Sequence, residues 1–486
     1  MARTAPAAVM ARRGHEVAGM IRRSIPLALL SLALVSCSSG SATPSAPAAP
    51  SGPGAAPGSS SGAPSASAAN AASVATAYLG ALSRSDWSGA AAMEDPTMAA
   101  AAPASALYQI AAGLVAQYGA FGSIGSPTSS PVSGNTLVSV PVSFANATVT
   151  LNVAVTASGQ VSGLHVAAVS TASAPPAGYV KPGAYTESAA TVGSAPWTLP
   201  GTLTMPNGTG PFPAVVLVAG SGPADRNESF GPNAPFRDLA WGLASAGIAV
   251  LRYDKRTLVY AKQMAADPTI TVRQETTDDA VAAIALLRQT PKVDPARVFV
   301  VGHSLGATLA PRIAAQAPGQ LAGIAMLEAA STPLPKLMLE QTQYLASLQP
   351  SPGPSAEAAI AALQAAVALA ESPTLSASTP ASELPGGVPA SYWLDLRSYD
   401  PTATAASLAI PEFFSQGGRD YQVPPSELAP WQRALAGHAN ASFHTYPAMD
   451  HLLLDGTGQP TPAEYSVPGH VDAQLVADLA GWVLAH

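Results

Sequence analysis

A single cysteine, Cys37, stands in a chain of 486 residues, so no intramolecular disulfide can brace the fold. Charge is also scarce: 10% of the residues are Asp, Glu, Lys or Arg, and 29 acidic against 22 basic side chains leave a formal net charge of -7. No basic stripe and no interleaving of aromatic with basic residues runs along the chain, which removes nucleic acid from the expected partners. Abundant alanine raises the hydrophobic fraction to 48%, which is therefore not the mark of a membrane domain. The apolar stretch Ile25 to Val35 falls well short of the ~20 residues needed to span a bilayer.

What that stretch does fit is a leader. Met20-Ile21-Arg22-Arg23 supplies a basic start, Ile25 to Val35 the apolar centre, and residues 1–36 read as a signal peptide, with Met20 as an alternative true start to Met1. Leu34-Val35-Ser36-Cys37 resembles the bacterial lipobox, in which the cysteine is diacylated and becomes the mature N-terminus. This implies an exported protein held at the extracytoplasmic face of a cell membrane through acyl chains on Cys37. Residues 37–73 are almost entirely Ser, Ala, Gly and Pro after that cysteine, a composition that buries little apolar surface and reads as a flexible tether.

The rest of the chain divides in two. Helical patterning over 74–95 and 103–119 has Val74, Tyr78, Leu82, Leu107, Ile110, Leu114 and Tyr118 as candidate buried positions. Strand-like stretches at 136–144, 147–156 and 160–168 complete a small α+β domain over 74–170. It shows no nucleophile or metal cluster, and His165 reads as an ordinary histidine. A Pro/Ala/Ser linker over 171–189 leads to a second domain, 190–486, in which strand and helix alternate: strands at 214–218, 248–253 and 297–302, helices at 236–246 and 272–289, and a later strand at 408–414. That rhythm predicts a mostly parallel sheet covered on both faces. An Ala-rich, helical segment over 333–385, with Leu337, Leu339, Tyr344, Leu345 and Leu363 as apolar anchors, interrupts it and is expected to cap a pocket.

The chemistry concentrates in Val298-Phe299-Val300-Val301-Gly302-His303-Ser304-Leu305-Gly306. A buried strand runs into Gly-x-Ser-x-Gly and a helix over 307–315 follows, so the glycines permit a sharp turn that leaves the Ser304 hydroxyl exposed. A hydroxyl needs a base. His451, in Tyr446-Pro447-Ala448-Met449-Asp450-His451-Leu452, follows a strand-like segment. Asp420, in Gly417-Gly418-Arg419-Asp420, is placed to orient it. The order Ser, Asp, His matches one known arrangement of such triads. Two N–H donors are needed for the oxyanion: Leu305 at the helix start, and Ser221 in Ala219-Gly220-Ser221-Gly222-Pro223 after the 214–218 strand. His303 is expected to point elsewhere, Asp450 to be badly placed for orienting its neighbour, Asp254 to be structural and Ser229 to be a poor nucleophile.

With Gly231-Pro232-Asn233, Asp238-Leu239-Ala240 and Arg252-Tyr253-Asp254-Lys255-Arg256, these stretches resemble the α/β-hydrolase superfamily. Within it they are similar to dienelactone-hydrolase-like and serine-aminopeptidase-like enzymes, and more narrowly to secreted bacterial esterases that carry a small N-terminal module. The resemblance implies a mostly parallel-sheet α/β-hydrolase fold with a helical cap. It also implies a Ser304–His451–Asp420 triad, no metal or organic cofactor, and carboxylesterase activity on small or medium acyl esters through an acyl-enzyme. One departure is Ala219-Gly220 where many relatives have His-Gly, which removes a side chain that would brace the oxyanion loop. A peptidase, amidase or thioesterase with the same triad, and a non-catalytic protein holding a lipid or envelope component, are the competing readings. No oligomeric state follows from the sequence.

Overall fold

The structure, a computed structural model, describes residues 66–486 apart from 103, 105–106, 108–109, 112–113, 116–117, 133, 146, 172–174 and 349–353. Cys37, the leader and most of the tether lie outside the described residues; residues 66–73, expected in the tether, instead open a helix over Ala66–Ser83 in which Ala71 is buried.

The first sheet is antiparallel, with β3 (Asn135–Phe144), β4 (Ala147–Thr156) and β5 (Val161–Thr171) adjacent in that order. Two short strands absent from the sequence reading, β1 (Phe121–Ile124) and β2 (Thr128–Val132), both pair with β3. Residues alternate strictly between the two faces of β3 and β4. Val138, Val140, Val142, Val149, Leu151 and Val153 are thereby buried against Tyr78, Leu79 and Leu82 of helix α1 (Ala66–Ser83). Leu107, Leu114 and Tyr118 join this core and Val74 is half-buried. Ile110 corrects the expectation: it is 39% exposed, because the buried stripe is set by positions 107, 111, 114 and 118, and Ile110 falls on its edge. His165 lies on the polar face of β5, within 3.2 Å of the Asn152 amide.

The second sheet has eight strands in the order β13-β12-β11-β10-β8-β9-β7-β6. Its parallel part comprises β8 (Phe212–Val218), β9 (Ala249–Tyr253), β10 (Val293–His303), β11 (Gly323–Leu327), β12 (Glu412–Gly417) and β13 (Ala441–Tyr446). An antiparallel hairpin, β6 (Tyr185–Ser194) and β7 (Trp197–Pro206), extends it at one edge. The hairpin starts the sheet at 185 rather than 190. The preceding segment is not a free linker either, since Ala177 and Val180 are buried and Lys181 N–H bonds Ser245 Oγ at 2.9 Å.

The central strands are continuous apolar runs, as burial on both faces requires. Helices α2 (Pro235–Ser245) and, at the C-terminus, Ala473–Ala485 cover Val215, Leu217, Phe299 and Val301. Helices α3 (Asp278–Arg288) and α4 (Leu305–Gln316) cover Val216, Val300 and Ile324 from the other side. The cap is longer than 333–385: helices α5 (Leu334–Ser347), α6 (Pro354–Glu371), α7 (Ala390–Arg397) and α8 (Pro401–Ala406) all precede β12, which begins at 412 and not 408. The chain leaves β8 toward β9 on one side and returns to β10 on the other. A crevice opens where the strand order reverses in this way, above the carboxyl ends of β8 and β10.

Candidate active site

Ser304 follows β10 directly, with φ 54° and ψ -120°, a conformation that costs a non-glycine residue on the order of 1–3 kcal/mol. Close packing enforces it. A Cβ on Gly302 would stand 2.2 Å from the Gly306 carbonyl oxygen, and one on Gly306 2.2 Å from that of Val218. Only glycine at both positions lets strand, turn and helix pack this tightly. Ser304 N–H is tied to the Leu327 carbonyl at 2.9 Å.

His451 and Asp420 meet Ser304 from the ends of neighbouring strands. His451 Nε2 lies 3.2 Å from Ser304 Oγ, and His451 Nδ1 lies 2.7 Å from Asp420 Oδ2. Asp420 is buried, and its Oδ1 accepts the N–H groups of Gln422 at 2.7 Å and Val423 at 2.8 Å. Asp450 does not touch the imidazole. It accepts the N–H groups of Leu452 and Leu454 and so shapes the turn that presents His451; burial pushes its carboxyl up to about 7. Glu328, which the sequence did not suggest, is buried beyond β11 and accepts Gly417 N–H and the Gln416 amide. Burial first, then the charge of Asp420, hold its carboxyl well above the usual range.

The loop after β8 is braced from both sides. Gly220 N–H donates to Glu228 Oε1 at 2.7 Å, and Gly222 N–H to Glu275 Oε1 at 2.8 Å. Lys255 Nζ donates to Glu275 Oε1 at 2.8 Å and to the Gly220 carbonyl at 2.6 Å. The Tyr392 hydroxyl, on cap helix α7, closes the network on Glu275 Oε2. Between these engaged groups, the N–H groups of Ser221 and Leu305 have no acceptor among the described residues. The brace that Ala219 cannot supply thus comes from Glu228, Glu275 and Lys255. Glu275 sits in a π-helical turn, Arg273–Thr277, at the start of α3, a feature that often re-aims a functional side chain.

The other candidates find partners elsewhere. Asp254 holds Arg226 bidentately at 2.9 and 2.7 Å, and Ser229 Oγ bonds Asp225. His303 is buried behind Ser304, 2.8 Å from the His451 carbonyl. A cavity of about 490 Å³ opens from Ser304 under the cap, with Ser221, Leu305, Met264, Ile270 and Trp393 in its wall. Among the described residues, no group of three or more His, Cys, Asp or Glu is arranged to hold a metal ion, and no helix is long and apolar enough to cross a membrane.

A doubly covered, mostly parallel sheet with a glycine-flanked serine on its central elbow and a helical cap defines a hydrolase of α/β-hydrolase fold. A family model described as serine aminopeptidase, S33, matches residues 234–457. Esterase EstD of Thermotoga maritima is 40% identical over 307 residues, which are 63% of this chain and 69% of that protein. The chain belongs to the α/β-hydrolase family that includes this esterase. Among solved structures, it is similar to Est1E from Butyrivibrio proteoclasticus, with 13% identity, 61% of this chain and 99% of that one covered, and a TM-score of 0.39. It is also similar to a 2,6-dihydroxy-pseudo-oxynicotine hydrolase, with 16% identity, 61% of this chain and 66% of that one covered, and a TM-score of 0.37.

Proposed function

We propose that the protein is a serine carboxylesterase in which Ser304 is the nucleophile, His451 the base, Asp420 its orienting carboxylate, and the Ser221 and Leu305 N–H groups the oxyanion hole. The observation that carries this reading is the continuous path from Ser304 Oγ through both ring nitrogens of His451 to Asp420 Oδ2, at 3.2 and 2.7 Å. His451 accepts the Ser304 proton as Oγ attacks the acyl carbonyl, and Asp420 stabilises the imidazolium that forms. The two N–H groups without acceptors, one of them at the start of helix α4, receive the oxyanion. His451 then protonates the departing alcohol. Water, activated by the same ring, releases the acid and restores the serine.

The cavity favours an uncharged acyl or alcohol group. Its carboxylates are engaged, Glu275 by Lys255, Gly222 and Tyr392 and Glu371 by Lys336 at 3.0 Å, so neither is free to receive a peptide's amino terminus. This favours ester over aminopeptidase chemistry. Turnover of a chain-length series of p-nitrophenyl esters, beside Ser304→Ala and a phosphonylating probe, tests the assignment. Turnover and labelling that both vanish in the variant are expected. Folded wild-type protein that neither turns over esters nor takes the label would sink it.

The leader and Cys37 support an exported protein anchored by acyl chains on that sulfur, with the Ser/Ala/Gly/Pro segment ahead of α1 as spacer. Detergent phase partitioning of whole-cell extract is the check: the wild type should enter the detergent phase and Cys37→Ser the aqueous phase. Equal partitioning of the two would refute the anchor.

A further inference from the structure

The ring of His303 is 3% exposed and lies between two groups that cannot donate to it. Nε2 stands 2.8 Å from the backbone carbonyl oxygen of His451. Nδ1 stands 3.0 Å from Glu228 Oε2, somewhat off the line of a hydrogen bond but within ion-pair distance. A neutral imidazole carries one N–H and would leave one of these contacts as acceptor against acceptor; the imidazolium suits both, as a donor to the carbonyl and as a cation beside the carboxylate. The other oxygen of Glu228 receives Gly220 N–H at 2.7 Å. A chain of contacts therefore runs from the oxyanion loop, through Glu228 and His303, to the peptide unit of His451.

We propose that His303 is a positioning residue charged at neutral pH, an imidazolium that fastens the oxyanion loop to the segment carrying the catalytic base, and that its deprotonation slackens both. This rests on the esterase reading above for the roles of Ser221 and His451. Three titratable groups face the ring: Glu228 from the loop after β8, Asp420 from the loop after β12, and the imidazole of His451, whose centroid is 4.8 Å away. The edge of Phe236 closes the remaining side at 6.4 Å. Burial alone would drive the proton off; Glu228, the His451 carbonyl and Asp420 together outweigh it and raise the ring above its ordinary value.

The two acceptors hold the proton on His303, and, its affinity being raised, the coupling is lost as pH rises through the raised value. The ring then abandons one acceptor. The loop that presents the Ser221 N–H loses its anchor, and kcat falls while substrate contacts under the cap, and hence KM, are kept.

Two measurements on the full chain test this. Nitrogen NMR of protein labelled with ¹⁵N-histidine should show, at pH 8, one imidazole with both ring nitrogens protonated, absent from His303→Gln. Glu228→Gln should return that signal to the neutral form at lower pH. In kinetics with p-nitrophenyl acetate, the alkaline limb of kcat should move to lower pH in Glu228→Gln and disappear in His303→Gln, with kcat reduced about tenfold. A merely structural His303 would lower the melting temperature of both variants and leave the alkaline limb in place. That result, or a neutral His303 ring in the wild type at pH 8, would overturn the proposal. Absence of ester turnover at every pH would instead strike the esterase reading, while the NMR experiment would still decide the charge on His303.

Discussion

Glu275 spends both carboxyl oxygens on positioning: Oε1 on Gly222 N–H and Lys255, Oε2 on the hydroxyl of Tyr392. One side chain therefore joins the loop after β8 to the cap. Tyr392→Phe removes the cap's share and leaves Oε2 buried without a donor, at a cost of about 1–3 kcal/mol. If the cap seats the loop through this contact, kcat should fall about tenfold with KM changed far less. Steady-state kinetics on one ester check this, and a rise in KM at constant kcat would assign Tyr392 to substrate binding alone. At this scale the sequence was readable where chemistry is written locally. Gly302-His303-Ser304-Leu305-Gly306 carries its own turn geometry, and the strand-end settings of Asp420 and His451 single them out among the acids and histidines. Glu228, Glu275, Glu328 and the packing of His303 were not readable. Glu228 reaches back only eight residues to Gly220, but the others act between segments 53 to 148 residues apart, and a lone glutamate with no fixed spacing to its partner leaves no pattern.

Among the elements, β12 opens on a residue whose backbone is bonded, Glu412 N–H to the Asn440 carbonyl at 2.8 Å, but whose side chain is not. Glu412 is fully buried, and neither of its carboxyl oxygens has a hydrogen-bond partner. Burial raises its carboxyl from 4.5 to about 8. The folded chain thus keeps a proton that the unfolded chain gives up above its ordinary value, and stability falls as pH rises from 4.5 to about 8, then levels. The loss at pH 7 from this group is on the order of 3 kcal/mol. Urea unfolding at pH 5, 7 and 9 should show a shallower decline for Glu412→Gln than for the wild type; parallel declines would contradict the assignment. The strand itself illustrates why boundaries are harder to read than elements. Apolar runs in β8, β9 and β10 mark buried parallel strands plainly. Before β12, by contrast, helices α7 and α8 continue the cap past the expected end at 385, and β12 starts with a glutamate and ends in Ser415-Gln416-Gly417, residues that mask its burial. The hairpin β6–β7 escaped for the opposite reason: as the edge of the sheet it is largely polar, and Tyr185 to Ser194 reads like more of the Ser/Ala/Gly segment before it.

The same compositional continuity hides where the catalytic body begins, and this yields a prediction for the whole molecule. Residues 177–183 look like spacer, yet Tyr179 packs on Gly242 and beside Val476, and a Cβ on Gly242 would stand 3.1 Å from the Tyr179 ring. Ala177 and Val180 are buried, and Lys181 N–H reaches Ser245. This short segment therefore seals the face of the sheet on which α2 lies, next to the hairpin that follows it. A chain beginning at Pro175 keeps those contacts and all eight strands of the second sheet, whereas one beginning at Tyr185 keeps the strands but bares that face of α2. Losing the half-buried Tyr179 and the buried Val180 together with one backbone hydrogen bond should cost several kcal/mol. The expected outcome is that the Pro175 chain unfolds cooperatively near the full-length midpoint, while the Tyr185 chain melts markedly lower. Thermal unfolding of the two, followed by circular dichroism, decides it; equal midpoints would mean that 177–183 are spacer after all. Kinetics on the Pro175 chain then isolate the first domain's part in the reaction. An ester chain-length ranking identical to the full-length protein's would give the antiparallel sheet and α1 no hand in shaping the cavity, and an altered ranking would place that domain at its entrance.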